Sequence, residues 1–212
     1  MADFDTPRLV DGPDTARATV LLAHGAGAPM DSPFMAAMAS GLADRGWRVV
    51  RFEFAYMAKQ RFSGRKAAPD RLPKLQEVFR QQVALELAKG PVIIGGKSMG
   101  GRVASLLLDE LPVLGGVCLG YPFHPLGKPE QLRTEHLREL KTPTLILQGE
   151  RDGFGHRNEV EGYELSPSIR LQWLADGDHS FKPRKSSGLS EAQNWQQAVE
   201  AADDFCRGLL SR

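Results

Sequence analysis

The chain has 212 residues, with 27 basic and 26 acidic side chains and a net charge of +1. This near balance leaves no global attraction for nucleic acid or for an anionic membrane surface. The length suits one domain, 1–212, with a substantial core, and no apolar run approaches the roughly 20 residues of a membrane-spanning helix.

Residues 1–14, MADFDTPRLVDGPD, are polar and acidic and lack the basic start and apolar run of a secretory signal, so a cytoplasmic protein is expected. ATVLLAHG (18–25) reads as a buried strand ending in glycine. A helix is predicted from Ser32, a suitable N-cap, with Pro33 at the first helical position. Phe34, Met35, Met38 and Leu42 give it one apolar face, and Gly46 ends it. RVVRFEFA (48–55) is the next strand, and YMAKQRFSGRKAAP (56–69) reads as a basic loop. Leu75, Val78, Phe79, Val83 and Leu87 then recur at helical spacing up to Gly90.

PVIIGG (91–96) is a strand, RVASLLLDEL (102–111) a helix and GGVCLGY (115–121) a strand. A proline-rich loop and a short helix near 130–140 follow. TPTLILQG (142–149) is a strand, a helix is expected over about 156–165, and IRLQWLA (169–175) is the last strand. A C-terminal helix carries Trp195, Val199, Ala202, Phe205 and Leu209 on one face. The two cysteines, Cys118 and Cys206, sit in apolar segments and are expected buried and reduced, with no metal-ligand spacing around them.

Strands apolar on both sides, alternating with helices, imply an α/β fold: a single doubly wound, mostly parallel sheet with helices on both faces. The connections leave no room for a lid domain. Ligands in such sheets bind beyond the C-terminal ends of the strands.

One stretch there has two meanings. GGKSMGG (95–101) contains the Gly-Lys-Ser of a phosphate-binding loop and also G-x-S-x-G, the elbow that presents a nucleophilic serine. The phosphate loop needs a glycine five residues before Gly96, where Pro91 stands within a strand. The elbow needs a strand before, a helix after and small residues on either side, and Gly96 and Gly100 supply the space. Ser98 is therefore the candidate nucleophile. A hydroxyl needs a base to take its proton, and the base needs a third group to hold its tautomer. Asp152, in TLILQGERDGFG, and His179, in LQWLADGDHSF, follow predicted strands in the expected order of acid then histidine. Glu150 and Asp178 are rival acids, otherwise read as a surface and a loop-capping carboxylate. The oxyanion donors are expected from Met99 N–H and from Ala26 or Gly27 in the loop HGAGAPMDSP.

Other residues carry weaker signals. His24 reads as a brace for the oxyanion loop. His124 has a position from which a substrate contact is conceivable, against a loop hydrogen bond. His136 and His156 fall in helical or exposed contexts and read as inert. Lys97 either attracts an anionic substrate or packs its stem on neighbouring structure. Arg102 reads as half of a structural ion pair. Lys59, Arg61, Arg65 and Lys66 form either a solvated loop or a positive rim to the active face.

HGAGAPMDSPFM, GGKSMGGR, GYPFHPLGKP, GERDGFG and GDHSF together resemble the α/β-hydrolase superfamily, over about residues 18–210. Within it they are similar to a smaller group that includes testis-expressed protein thirty and the hydrolase-like subunit of a nuclear histone-acetyltransferase (NSL) complex. The resemblance implies Ser-Asp-His roles for Ser98, Asp152 and His179. It implies no well-defined substrate, and the group includes members regarded as complex subunits. The triad chemistry itself, which needs no cofactor or metal, points to an esterase acting on a small acyl substrate (ester, or thioester or lactone), against a hydrolase-like scaffold with little turnover. The sequence leaves the oligomeric state open.

Overall fold

Strands that are apolar on both sides need cover on both sides. The computed structural model, which describes residues 6–211, provides it. The first five residues of the acidic N-terminal stretch and Arg212 lie outside the description. The strands are β1 (Arg8–Asp11), β2 (Thr19–Ala23), β3 (Arg48–Phe52), β4 (Val92–Lys97), β5 (Gly115–Leu119), β6 (Thr144–Gly149) and β7 (Ile169–Leu174). They form one sheet in the order β1-β3-β2-β4-β5-β6-β7, with β1 antiparallel and every other neighbour parallel. The helices are α1 (Pro33–Ala43), α2 (Ala55–Ser63), α3 (Leu72–Leu87), α4 (Met99–Ser105), α5 (Arg157–Val160) and α6 (Glu191–Leu210).

Strand side chains alternate between two cores. Val20, Leu22, Ile93, Leu145 and Leu147 pack with Met35 and Met38 of α1 and Val199 and Ala202 of α6. Leu21, Ala23, Val92, Ile94 and Ile146 pack with Phe79 and Val83 of α3 and Val103 of α4. Each such Val, Leu, Ile, Phe or Met side chain contributes about 1.5–3 kcal/mol through burial, so packing rather than strand propensity holds these short strands. Cys118 lies in the second core and Cys206 in the first, both buried and free. Burial pushes both thiols up to about 12, where they are poor nucleophiles at neutral pH.

Several expectations change. Residues 56–69 are not a loop throughout, because α2 occupies Ala55–Ser63. Its Tyr56, Met57 and Ala58 are buried while its basic residues face outward, so charge masked an apolar face. Strand β1 was not anticipated; it is short, polar and held by pairing to β3. The helix after the elbow starts at once, at Met99, and ends at Ser105. The segments expected helical near 130–140 and 156–165 contain only a 3-10 turn, Glu135–Leu137, and the single turn α5.

Beside β3, the fully buried Glu86 of α3 receives Arg8 of β1 and Arg48 of β3, with Lys89 at 3.1 Å. Burial alone raises a carboxyl pKa, but these three cations outweigh it and lower that of Glu86. This cluster ties the edge strand to a helix. Among the described residues no helix is long and apolar enough to cross a membrane.

Candidate active site

The chain leaves β2 toward β3 on one side and leaves β4 toward β5 on the other. Since β2 and β4 are neighbours, their following loops diverge and open a crevice at the C-terminal edge. Both sequence motifs lie there. A cleft of about 570 Å³ is lined by residues 25–28 and 32–35, by Lys97 and Ser98, and across from them by Phe154, His179, Ser180, Glu191 and Trp195.

Ser98 sits at φ 51°, ψ −113°, between β4 and α4. A left-handed φ is uncommon for a serine and costs of order 1–3 kcal/mol. The turn that forces it is crowded: a Cβ on Gly96 would strike the Ala23 carbonyl, and one on Gly100 the Ala23 and His24 carbonyls. The small-residue requirement read from the sequence is thus a contact with β2. Ser98 N–H donates to Leu119 O at 3.0 Å, and Arg102 N–H to Ser98 O at 3.0 Å. The Ser98 hydroxyl makes no hydrogen bond among the described residues.

His179 Nδ1 lies 2.7 Å from Asp152 Oδ2. Asp152 is fully buried, and its carboxylate has further donors in Gln148 Nε2 at 2.9 Å and Phe154 N–H at 2.9 Å. With an ionised Asp152 as acceptor, Nδ1 carries the proton and Nε2 is left as the basic nitrogen. The Phe154 ring lies 4.4 Å from the imidazole, tilted by 41° to it. The rival acids face elsewhere. Glu150 pairs with Arg157 at 2.6 Å and accepts Asp176 N–H at 2.9 Å. Asp178 accepts Ser180 N–H and Lys182 N–H, which caps its own loop.

The loop after β2 is braced from behind. Phe54 N–H donates to His24 Nε2 at 3.1 Å, so Nδ1–H donates to Gly25 O at 2.6 Å. Burial lowers the His24 pKa, which favours this neutral tautomer. Tyr56 hydroxyl donates to Gly25 O at 3.3 Å and Ala26 O at 3.0 Å. With the Gly25 and Ala26 carbonyls tied back, Ala26 and Gly27 line the cleft beside Ser98, and Met99 N–H begins α4.

The remaining sequence candidates divide. His124 does not line the cleft: Nδ1 is 2.9 Å from Pro125 O and Nε2 is 3.2 Å from Glu159. None of Lys59, Arg61, Arg65 and Lys66 lines it either. Arg61 is neutralised by buried Glu53 and by Asp31, at 2.6 and 2.8 Å. His136 is not exposed; Nε2 meets Ser105 Oγ at 2.9 Å. His156 does not line the cleft. Arg102 has no ion pair among the described residues, against expectation. The sequence did not mark Gln148 or Tyr56, although a glutamine inside the apolar run TLILQG is a readable sign of a buried polar role.

Lys97 does approach the site. Its stem passes Gly25, its ammonium donates to His179 O at 2.6 Å, and the Phe34 ring lies 5.4 Å away. Burial lowers its pKa from 10.5 to about 8, against the opposing pull of Asp152 and Asp178. Between these values the unfolded chain holds one more proton than the folded one, so stability rises with pH across the window. The full increment is about 3 kcal/mol. In urea titrations, the unfolding free energy of the wild type relative to Lys97→Met should grow by about this amount from about pH 7 to 11. A constant difference would show that Lys97 titrates as it does in water.

A family model described as an alpha/beta hydrolase domain matches residues 16–207. Three solved structures are similar over most of their length. An α/β serine hydrolase without lid from Xanthomonas campestris has a TM-score of 0.66 at 19% identity, covering 92% of this chain and 88% of that one. Est1E from Butyrivibrio proteoclasticus with ferulic acid bound has a TM-score of 0.71 at 14% identity, covering 98% and 96%. Dienelactone hydrolase from Anabaena variabilis has a TM-score of 0.66 at 22% identity, covering 94% and 91%. At these identities the likeness is one of fold.

Proposed function

The chain belongs to the alpha/beta hydrolase domain family, and from that premise we propose that it is a lidless serine hydrolase cleaving a small carboxylic ester through Ser98, His179 and Asp152. The observation that carries this reading is the strained Ser98 facing the same cleft as the His179–Asp152 pair. His179 Nε2 takes the Ser98 proton as Oγ attacks the acyl carbon, and Asp152 stabilises the imidazolium. Met99 N–H and a donor from Ala26 or Gly27 hold the oxyanion. His179 protonates the leaving alcohol, then activates the water that frees the acyl group from Ser98. No cofactor or metal enters these steps.

The cleft walls include Phe34, Met35, Phe154 and Trp195. They favour an apolar or aryl group on one side of the ester, and a thioester or lactone of that kind fits the same chemistry. That a neighbour of the same fold holds ferulic acid, and another is a dienelactone hydrolase, agrees with a flat unsaturated substrate. The reaction needs neither nucleic acid nor membrane.

A fluorophosphonate probe tests the reading. The wild type is expected to be labelled stoichiometrically, with the modification on the peptide containing Ser98. A folded wild type that resists the probe would favour the scaffold reading, in which the protein serves as a complex subunit.

A further inference from the structure

A second cleft, of about 550 Å³, lies along α4 and the Glu135–Leu137 turn and shares no lining residue with the Ser98 cleft. Its walls carry Arg102, Arg133, Arg138 and His136, with Glu135 and Glu139. Arg138 is taken by Glu164 at 3.6 Å. Arg102 and Arg133 have no carboxylate within 4.0 Å among the described residues, despite Glu135 and Glu139 on the same walls.

That is exceptional in this molecule. The other arginines that are not exposed, Arg8, Arg45, Arg48, Arg51, Arg80, Arg151 and Arg157, each pair with an Asp or Glu. Arg102 Nε is moreover, with Arg8 Nε and Gln82 Oε1, a buried polar side-chain atom without a protein partner among the described residues, and of the two arginines only Arg102 also lacks a carboxylate. Such groups are rare in native proteins because they forfeit hydration without compensation. Desolvation, and then the charge of Arg102, lower the pKa of Arg133, so the two cations repel each other across the cleft. His136 adds no charge: burial, followed by Arg102, pushes its pKa down to about 4.

Two like charges, half-buried together and without a carboxylate among the described residues, favour a counter-charge. We infer that Arg102 and Arg133 form a binding site for a phosphate dianion, either free or as the headgroup of a small phosphate monoester. The guanidinium fork matches phosphate oxygens in pairs, and a charge of −2 neutralises both arginines. The proposal is independent of the hydrolase reading, since the two clefts are separate.

Thermal unfolding at about pH 8 and matched ionic strength tests it. Inorganic phosphate should raise the wild-type midpoint saturably, by about 5–10 °C at a hundredfold excess over the dissociation constant, whereas chloride should not. Arg102→Gln and Arg133→Gln should each lose the rise. Without phosphate, Arg133→Gln should unfold no earlier than the wild type, because it removes a repulsion. Arg133→Lys, which keeps the charge and the fold but not the fork, should bind at least tenfold more weakly. Phenyl phosphate exceeding inorganic phosphate identifies a monoester headgroup, and equality identifies free phosphate; both support the site. A wild type that responds to phosphate as to chloride, glutamine variants that keep the rise, or benzoate that matches phenyl phosphate would overturn it.

Discussion

Ser98→Ala and His179→Ala are each expected to lower kcat on an aryl ester by about 10⁶-fold, and the double variant should lose no more than either alone. The two groups work as one unit. Without the imidazole the hydroxyl keeps its proton, and without the hydroxyl the imidazole has no attacking group to activate. KM should move little, because the apolar walls at Phe34, Met35, Phe154 and Trp195 are untouched. Folding of Ser98→Ala should be unaffected, since the Ser98 hydroxyl has no hydrogen bond to lose among the described residues, whereas His179→Ala takes a donor from the buried Asp152 and should lower stability. Steady-state kinetics of the three variants beside a denaturation curve separate the effects. Residual activity within tenfold of the wild type in Ser98→Ala, from a pure and folded sample, would remove Ser98 from the chemistry.

The elbow was legible because its requirement is local. Two glycines flanking a serine after an apolar run report a close approach, here to the Ala23 and His24 carbonyls. Helix α6 was legible because Val199, Ala202 and Leu209 repeat at helical spacing and are buried. The sheet order was not read, because alternation of strands and helices fixes the class but not the point where the chain reverses. Edge strand β1 was missed because four half-polar residues carry no period, and their partners are 38 to 44 residues away in sequence, from Asp11 with Val49 to Arg8 with Phe52. Charge pairing was the least legible. Arg61 looked like part of a rim until Glu53 and Asp31 came to it, and Arg102 looked paired when it has no carboxylate partner among the described residues. A sequence counts charges without saying which ones meet.

The choice among Glu150, Asp152 and Asp178 shows the same limit and leads to the second large effect. Asp152→Asn should lower kcat by about 10⁴-fold with little change in KM. Oδ2 of Asp152 accepts from both His179 Nδ1 and Gln148 Nε2, and Oδ1 accepts from Phe154 N–H. All three partners are donors in this arrangement, so an amide NH₂ fits at neither oxygen. Placed at Oδ1 it opposes Phe154 N–H. Placed at Oδ2 it opposes Gln148 and obliges His179 Nδ1 to accept, which moves the imidazole proton to Nε2 and leaves no base facing Ser98. Gln148 cannot turn to help, since its Oε1 already accepts Tyr121 N–H at 2.7 Å and its amide also faces Tyr121 O. Asn is nearly isosteric with Asp, so the cleft keeps its shape and substrate binding survives. The parallel substitution Glu150→Gln should leave kcat within about threefold, because Glu150 serves Arg157 and Asp176. Fluorophosphonate labelling rates for both variants give the same comparison without a chosen substrate. If Glu150→Gln proved the slower of the two, the acid would have to be reassigned and with it the orientation of His179.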